Sequence, residues 1–266
     1  MFYVLAALLI VVAAVLWFSS QQFEKRIDGL KDRVLAAAAM PATPDLPQIV
    51  RDFAERNGGS VAAGPRSVHL RHRASLTTAK GKAPIAITAD QWLAIASTEM
   101  VWRGRGAMMG LPVTVVDSIV GGEGLLEARV LGVVSVAKGT GPDFAKGELQ
   151  RYLSELPVHP DAILSNASLR WRQIDAATVE VTARFAGGEA SIRFSFNEDG
   201  DITGMLAPDR PMTAGDHTEP TAWRGSFGGY QWFGSRRIPT DGEVGWELPD
   251  GLFTYWTGKI VDYELL

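Results

Sequence analysis

From residue 48 onward the dominant pattern along the chain is alternation of apolar and polar side chains. Val68, Leu70, His72, Ala74 and Leu76 alternate with His69, Arg71, Arg73, Ser75 and Thr77, the period-two signature of a strand with one buried face. Val179, Val181, Ala183 and Phe185 repeat the pattern, and it resumes after Gly187-Gly188 with Ala190, Ile192, Phe194 and Phe196. Asp199-Gly200 then turns the chain into a third run from Ile202 to Leu206. These segments predict an antiparallel meander. Further strands are expected at 101–108, 112–120, 125–137, 168–173, 223–227, 230–238, 243–248 and 252–263, the last two joined by the turn Pro249-Asp250-Gly251. The segment 208–220 reads as a loop.

Three helices are expected between the strands. One covers 46–57 and stops at Gly58-Gly59; a second covers 88–98 with Thr88 as its cap. The third, 143–156, is the best defined, because Leu149, Tyr152, Leu153 and Leu156 fall at i, i+3, i+4 and i+7 and Pro157 ends it. Its other face carries Glu148, Arg151 and Glu155, spaced as the charge pairs of a solvated helix surface. About eleven strands and about three helices in one run of roughly 220 residues predict a single mainly β domain of the α+β class, spanning 48–266. An antiparallel sheet of that length curls, so the expected shape is a half barrel.

The first residues have no such alternation. Met1 to Phe18 are all apolar, and a helix over residues 1–20 would be roughly 30 Å long, the thickness of a hydrocarbon core. The run has no basic residue before it and no small-x-small site just after it, so it reads as an uncleaved single-pass transmembrane anchor. Phe23, Ile27, Leu30 and Val34 continue with helical spacing, which makes 21–47 an amphipathic stalk followed by a linker containing Pro41, Pro44 and Pro47. The stalk has two other places to lie, along the membrane interface or against the domain. Lys25, Arg26, Lys31 and Arg33 follow the span, which by the positive-inside rule places the domain in the cytoplasm.

Composition removes several function classes. The 266 residues include no cysteine, so disulfides, thiolate nucleophiles, Cys-ligated zinc and iron–sulfur clusters are excluded. A formal net charge of −4 gives no reason to expect nucleic acid as a partner. The chain lacks HExxH, GxSxG, P-loop and EF-hand patterns, and Gly121-Gly122-Glu123-Gly124 reads as a hairpin between strands. His69 and His72, at i,i+3, point to opposite faces of one strand, so no metal site and no cofactor are expected. His72 reads as a core histidine and Asp117 as turn chemistry, with a place in a concave polar set as the alternative for each.

The aromatic residues carry more. Trp102, Trp171, Trp223, Trp232, Trp246 and Trp256 all fall in expected strands. Most should fill the core, but a sheet curved into a half barrel encloses more volume than its strands fill, and the remainder becomes a plug of helices or an apolar ligand cavity. The expected cavity lining is Trp102, Tyr152, Trp171, Trp223 and Trp246, with Arg151, Glu155, His72 and Asp117 as a polar rim.

Several ordered motifs resemble those of an uncharacterised bacterial family. They are Glu148-Leu149-Gln150-Arg151-Tyr152-Leu153-Ser154-Glu155, Asp117 with Gly121-Gly122-Glu123-Gly124, and Trp223-x-Gly225-x-Phe227-x-x-Tyr230. To these are added Gly234 through Ile238-Pro239, Val244-x-Trp246, Pro249-Asp250-Gly251 and Phe253-x-Tyr255-Trp256. The resemblance is to a domain-of-unknown-function family in which a membrane segment precedes one β-rich domain, and it covers the chain from Leu46 to its end. Where that family tends to carry a tryptophan after the helix end, this chain has Val158-His159-Pro160. The order of elements also resembles the lipoprotein-carrier half barrels of the bacterial envelope, which implies a periplasmic domain on the inner membrane, opposite to the charge rule; the side of the membrane stays open between the two. The leading expectation is a membrane-anchored, non-enzymatic binding module for a lipid or other hydrophobic ligand. The alternatives are a scaffold for a protein partner in an envelope complex, which predicts an exposed apolar patch, and an enzyme of unrecognised type using Arg151, Glu155, Asp117 and His72.

Overall fold

The computed structural model describes residues 2–37, 45–61, 66–215 and 217–266. One antiparallel sheet of thirteen strands runs through the domain. The chain enters it at the centre with β1 (Ser67–Leu76) and walks outward through β2 (Ile85–Ala94), β3 (Met100–Met108), β4 (Leu111–Val120), β5 (Glu123–Val130) and β6 (Val134–Thr140) to one edge. It then crosses to the opposite edge through three helical segments. From there β7 (Arg170–Gln173), β8 (Thr178–Phe185), β9 (Gly188–Phe196), β10 (Ile202–Ala214), β11 (His217–Phe233) and β12 (Arg236–Leu248) lead back. The last strand, β13 (Gly251–Leu265), lies beside β1 and joins the two meanders.

The crossing segments are α3 (Pro142–Ser154), a 3₁₀ turn (Leu156–Val158) and α4 (Pro160–Ser165). Helix α3 touches β4, β5 and β6 near one edge of the sheet and β8, β9 and β10 near the other. Contact with both ends of the strand order requires the sheet to curl around the helix, and the architecture is a mainly β half barrel with four α-helices among the described residues. Helix α2 (Gln48–Arg56) packs on α4 and contributes Val50, Phe53 and Ala54 to the main core inside the curl.

Helix α1 (Phe2–Ala36) lies on the other face. Phe23, Ile27 and Val34 are buried against Trp92, Ala94, Val101, Val116, Val120 and Leu125, the residues of β2 to β5 that alternate with the core-facing set. Arg26 Nη1 donates to Glu127 Oε2 at 2.7 Å, and Arg103 packs its guanidinium 5.2 Å over Trp92. Toward the N-terminus the helix leaves the sheet. Tyr3, Val4, Ile10, Val11, Val12, Val15, Trp17 and Phe18 are exposed. The expected transmembrane helix over 1–20 is not supported: among the described residues no helix is long and apolar enough to cross a membrane. Residue 1 and the side chains at 2, 5, 6, 8 and 9, on which that expectation partly rests, lie outside the described ones, as do Pro41 and Pro44 of the expected linker.

The structure corrects several element assignments. The expected helix 88–98 is strand β2. Both of its faces are buried, Gln91 and Leu93 toward the core and Trp92 and Ala94 toward α1, so the period-two signal of a half-exposed strand is lost. The expected single strand 125–137 is two, β5 and β6, folded at Leu131-Gly132, both at positive φ. The expected loop 208–220 is paired: β10 bulges between Ala207 and Arg210 and continues against β11, with Pro211 opposite Pro220. The strands expected at 223–227 and 230–238 belong to two longer strands, β11 and β12, and a further helix, α4, follows the 3₁₀ turn where none was expected.

Candidate functional site

The core does not fill the half barrel from end to end. Toward the N-terminal ends of β1 and β12 the space is packed by Phe53, Tyr152, Leu156, Ile163, Phe194 and Ile238, all fully buried. Toward their C-terminal ends a cavity of about 400 Å³ remains. Its walls are Trp102, Trp223, Trp246, Tyr255 and Trp256, with Leu76, Val115, Leu126 and Val244 between them; one side is the charged face of α3. That volume and an aromatic wall with a few polar groups are the features of small-molecule sites.

The size of the cavity has a local cause. Trp102 and Trp256 are each followed two residues later on the same strand face by glycine. A Cβ on Gly104 would lie 2.2 Å from the Trp102 ring, and one on Gly258 would lie 2.2 Å from the Trp256 ring. With no side chain there, each indole lies along its own strand instead of standing into the cavity.

The polar side comes from α3 together with β4 and β10. Because α3 sits inside the curl, its Glu148, Arg151 and Glu155 face the cavity, and they are not the solvated surface their spacing suggested. Arg151 Nη1 donates to Asp117 Oδ2 at 2.5 Å, its Nε lies 3.9 Å from Glu155 Oε1, and its guanidinium sits 5.0 Å over the Trp102 ring. Arg210 stacks 4.2 Å over Trp223 and reaches Glu148 Oε1 only at 3.6 Å. Trp223 Nε1 donates to Tyr255 Oη at 3.2 Å, and Tyr255 stacks on Trp246. Four buried polar atoms of lining residues have no hydrogen-bond partner in the protein: Asp117 Oδ1, Glu148 Oε2, Arg210 Nη1 and Trp102 Nε1.

Burial raises the Glu148 carboxyl to about 8, with the neighbouring Asp117 adding to the rise and Arg210 and Arg151 opposing it. Burial also raises Asp117 and Glu155, against the pull of Arg151 in both cases. Burial by itself would lower Arg151, but Asp117, Glu148 and Glu155 together hold it above its ordinary value. The site therefore sets two arginines against three carboxyl groups, of which Glu148 is largely protonated at neutral pH.

The nine residues expected at the site divide. Trp102, Trp223, Trp246, Arg151, Glu155 and Asp117 line this cavity. Tyr152 does not: it faces the filled end, where its hydroxyl donates to the Ala94 carbonyl at 3.0 Å and accepts from Asn166 Nδ2 at 3.1 Å. Trp171 packs against Phe194 on the β7–β9 side, since inward alternation there leads into the filled core. His72 lies behind Trp256, 6.4 Å between ring centroids, and both its nitrogens are buried without partners. Burial, with Arg151 nearby, lowers its pKa to about 3. Of the set Arg151, Glu155, Asp117 and His72, the first three line the cavity and His72 lies behind its wall. Sequence reasoning missed Glu148 as a cavity residue, along with Arg210, Tyr255 and Trp256; the Trp-x-Gly spacing of Trp102-Gly104 and Trp256-Gly258 was the one available signal for the last. Among the described residues no three His, Asp or Glu side chains are placed to hold a metal ion.

A second cleft of about 650 Å³ lies outside, between α1 and the Gly121-Gly122 turn. Phe185 is its one aromatic lining residue, and its Arg26 is already bound to Glu127. The inner cavity is the stronger candidate.

Residues 37–258 match DUF6544, described as a family of unknown function, and the chain belongs to that family. No curated protein matches it. Among solved structures it is similar to a LolA superfamily protein from Nitrosomonas europaea, at 10% identity and a TM-score of 0.43, over 82% of this chain and 92% of that one. A DUF1329 family protein from Desulfovibrio piger aligns at 9% identity and a TM-score of 0.43, over 81% and 91%. A putative outer membrane lipoprotein-sorting protein domain from Vibrio parahaemolyticus aligns at 9% identity and a TM-score of 0.36, over 82% and 91%.

Proposed function

We propose that this member of DUF6544 is a binding module that takes the apolar body of a small amphiphile into the cavity between α3 and the Trp102, Trp223, Trp246 and Trp256 wall. The observation that carries the reading is the division of the half barrel into a filled end and an end where aromatic side chains enclose about 400 Å³. Apolar surface of that kind is stabilised by roughly 25 cal/mol for each Å² it removes from water, which gives an apolar chain reason to enter. The bare apolar part of α1 complements this. With Val4, Ile10, Val11, Val15, Trp17 and Phe18 exposed, α1 offers an apolar surface to rest against a lipid interface, which would hold the module where amphiphiles are concentrated.

Native mass spectrometry of the full chain released from detergent micelles tests the ligand. The expected result is a saturable one-to-one adduct with monodecanoylglycerol, lost when Trp223→Arg places a charge in the wall. A chain that takes up no single-chain amphiphile at any head group overturns the reading. Carbonate washing of membranes tests the attachment: the full chain should stay in the pellet, and release into the wash would remove the role given to α1.

A further inference from the structure

The cavity has one polar corner, and its chemistry is mixed. Arg210 Nη1 and Trp102 Nε1 are donors without a partner in the protein; Asp117 Oδ1 and Glu148 Oε2 are oxygens in the same condition. The Arg210 and Glu148 side chains are 10% and 5% exposed, so neither is served by bulk solvent. Leaving such groups unmet costs roughly 1–3 kcal/mol each, and more where a charge is involved. Elsewhere in this chain a buried arginine meets its carboxylate with two bonds, as Arg236 does with Asp161 at 2.7 Å each. Arg210 lies flat on Trp223 instead, 3.6 Å from Glu148, with one nitrogen unused.

We infer that this corner reads a head group that is neutral overall and carries both a hydrogen-bond donor and an acceptor, as a hydroxyl- or amide-bearing amphiphile does, and that it discriminates against anions and cations on the same chain. The inference rests on the proposed function and narrows its ligand. A neutral head donates to Asp117 and accepts from Arg210 and Trp102 without adding charge to a corner that already holds groups of both signs. A carboxylate or phosphate head satisfies Arg210 but meets Asp117 and Glu155 in a place where water does not screen them. An ammonium head meets the carboxylates but faces Arg151 and Arg210. Glu148, whose carboxyl is buried beside Asp117 and largely protonated at neutral pH, supplies an O–H where the neutral head needs one.

Three decyl amphiphiles offered to the full chain in equal amounts, and counted as adducts by native mass spectrometry, test the inference. They are monodecanoylglycerol, decanoate and decyltrimethylammonium. The glycerol ester should be retained at least about tenfold over either ion, the worth of one hydrogen bond to a charged group. Equal retention of all three, or preference for an ion, overturns the inference and leaves the proposed function standing. Retention of none overturns the proposed function itself. Arg210→Met removes a cation and leaves the carboxylates, so it should shift preference about tenfold toward the ammonium, whereas Arg210→Lys should keep the glycerol ester first. An Arg210→Met protein that retains the native preference also overturns the inference.

Discussion

At the filled end of the half barrel, Arg236 gives two hydrogen bonds of 2.7 Å to Asp161 and a third to Ser235, and Asp161 accepts the Ser60 N–H as well. Beside it Arg237 holds Asp201 with bonds of 2.7 and 2.8 Å and reaches Asn57 at 3.0 Å. These contacts tie α2, α4, β12 and the turn before β10 together. At the cavity end the same residue types are arranged differently: Arg151 has one strong bond, Arg210 none, and four polar atoms are left over. Buried charge in the two places does different work. Saturated and bidentate, it fixes how the crossing helices seat in the sheet; incomplete and spread over aromatic faces, it leaves the protein's donors and acceptors available to a ligand. On the proposed function, stability is given up where the ligand would bind, a common feature of functional sites.

The sharpest test of the contrast is to remove one partner at each end. Asp161→Ala leaves the Arg236 guanidinium buried and uncompensated and should cost about 3–5 kcal/mol in urea unfolding. Arg210→Met replaces an under-bonded arginine by an apolar chain of similar length and should cost about 1 kcal/mol or less. Equal losses would mean that the two ends do not differ in the way the geometry indicates.

Acid comes next. His159, at the filled end, and His72, behind the cavity, are buried, and burial lowers each to about 3, with Arg151 adding to the fall at His72 and Gln91 opposing it. The unfolded chain takes up these protons from the ordinary value of 6.5 downward, and the folded chain does not until about pH 3. Stability should therefore be lost as pH falls through that window, at about 1.4 kcal/mol per pH unit for each histidine. His159→Gln and His72→Gln should each flatten the slope of unfolding free energy against pH by one proton; an unchanged slope would remove that histidine from the account.

Glu148 has the opposite sign. Its folded value of about 8 lies above the ordinary 4.5, so between these values the folded state binds the extra proton and stability falls as pH rises. Glu148→Gln, which copies the protonated carboxyl, should leave the melting temperature near pH 4.5 unchanged and raise it by a few degrees at pH 9. A variant equally shifted at both pH values would show that the effect is packing and not charge.

How much of this is legible in the sequence depends on what each residue faces. Strands β8 and β9 were readable because one face is wet: Val179, Val181 and Ala183 are buried while their neighbours are not. Strand β2 is hidden in the sequence because α1 covers its second face, and only tertiary contact puts Trp92 and Ala94 in a core. The same effect hid the cavity's polar side. Glu148, Arg151 and Glu155 have the spacing of a solvated helix face, and only the curl of the sheet around α3 turns that face inward. Alternation told which way Trp102, Trp171 and Trp223 point, but not how far along the barrel they lie, which is why Trp171 was grouped with residues of the other end. Arg210 was concealed by prolines at 208, 211 and 220 that read as loop, yet in the sheet they flank a bulge.

The smallest expected effect bears on why there is a cavity at all. Gly104 and Gly258 do not need unusual backbone angles; each is a β residue whose missing Cβ leaves room for the indole two positions earlier. In Gly104→Ala the new methyl must displace the Trp102 ring, which has open volume to move into, so the cost to stability should be about 1 kcal/mol or less. The displaced indole occupies part of the space an apolar chain would take. Retention of monodecanoylglycerol should then fall several-fold while urea unfolding barely changes. The reverse outcome, lost stability with binding intact, would place Trp102 in the packing of the filled end and not in the wall of the open one.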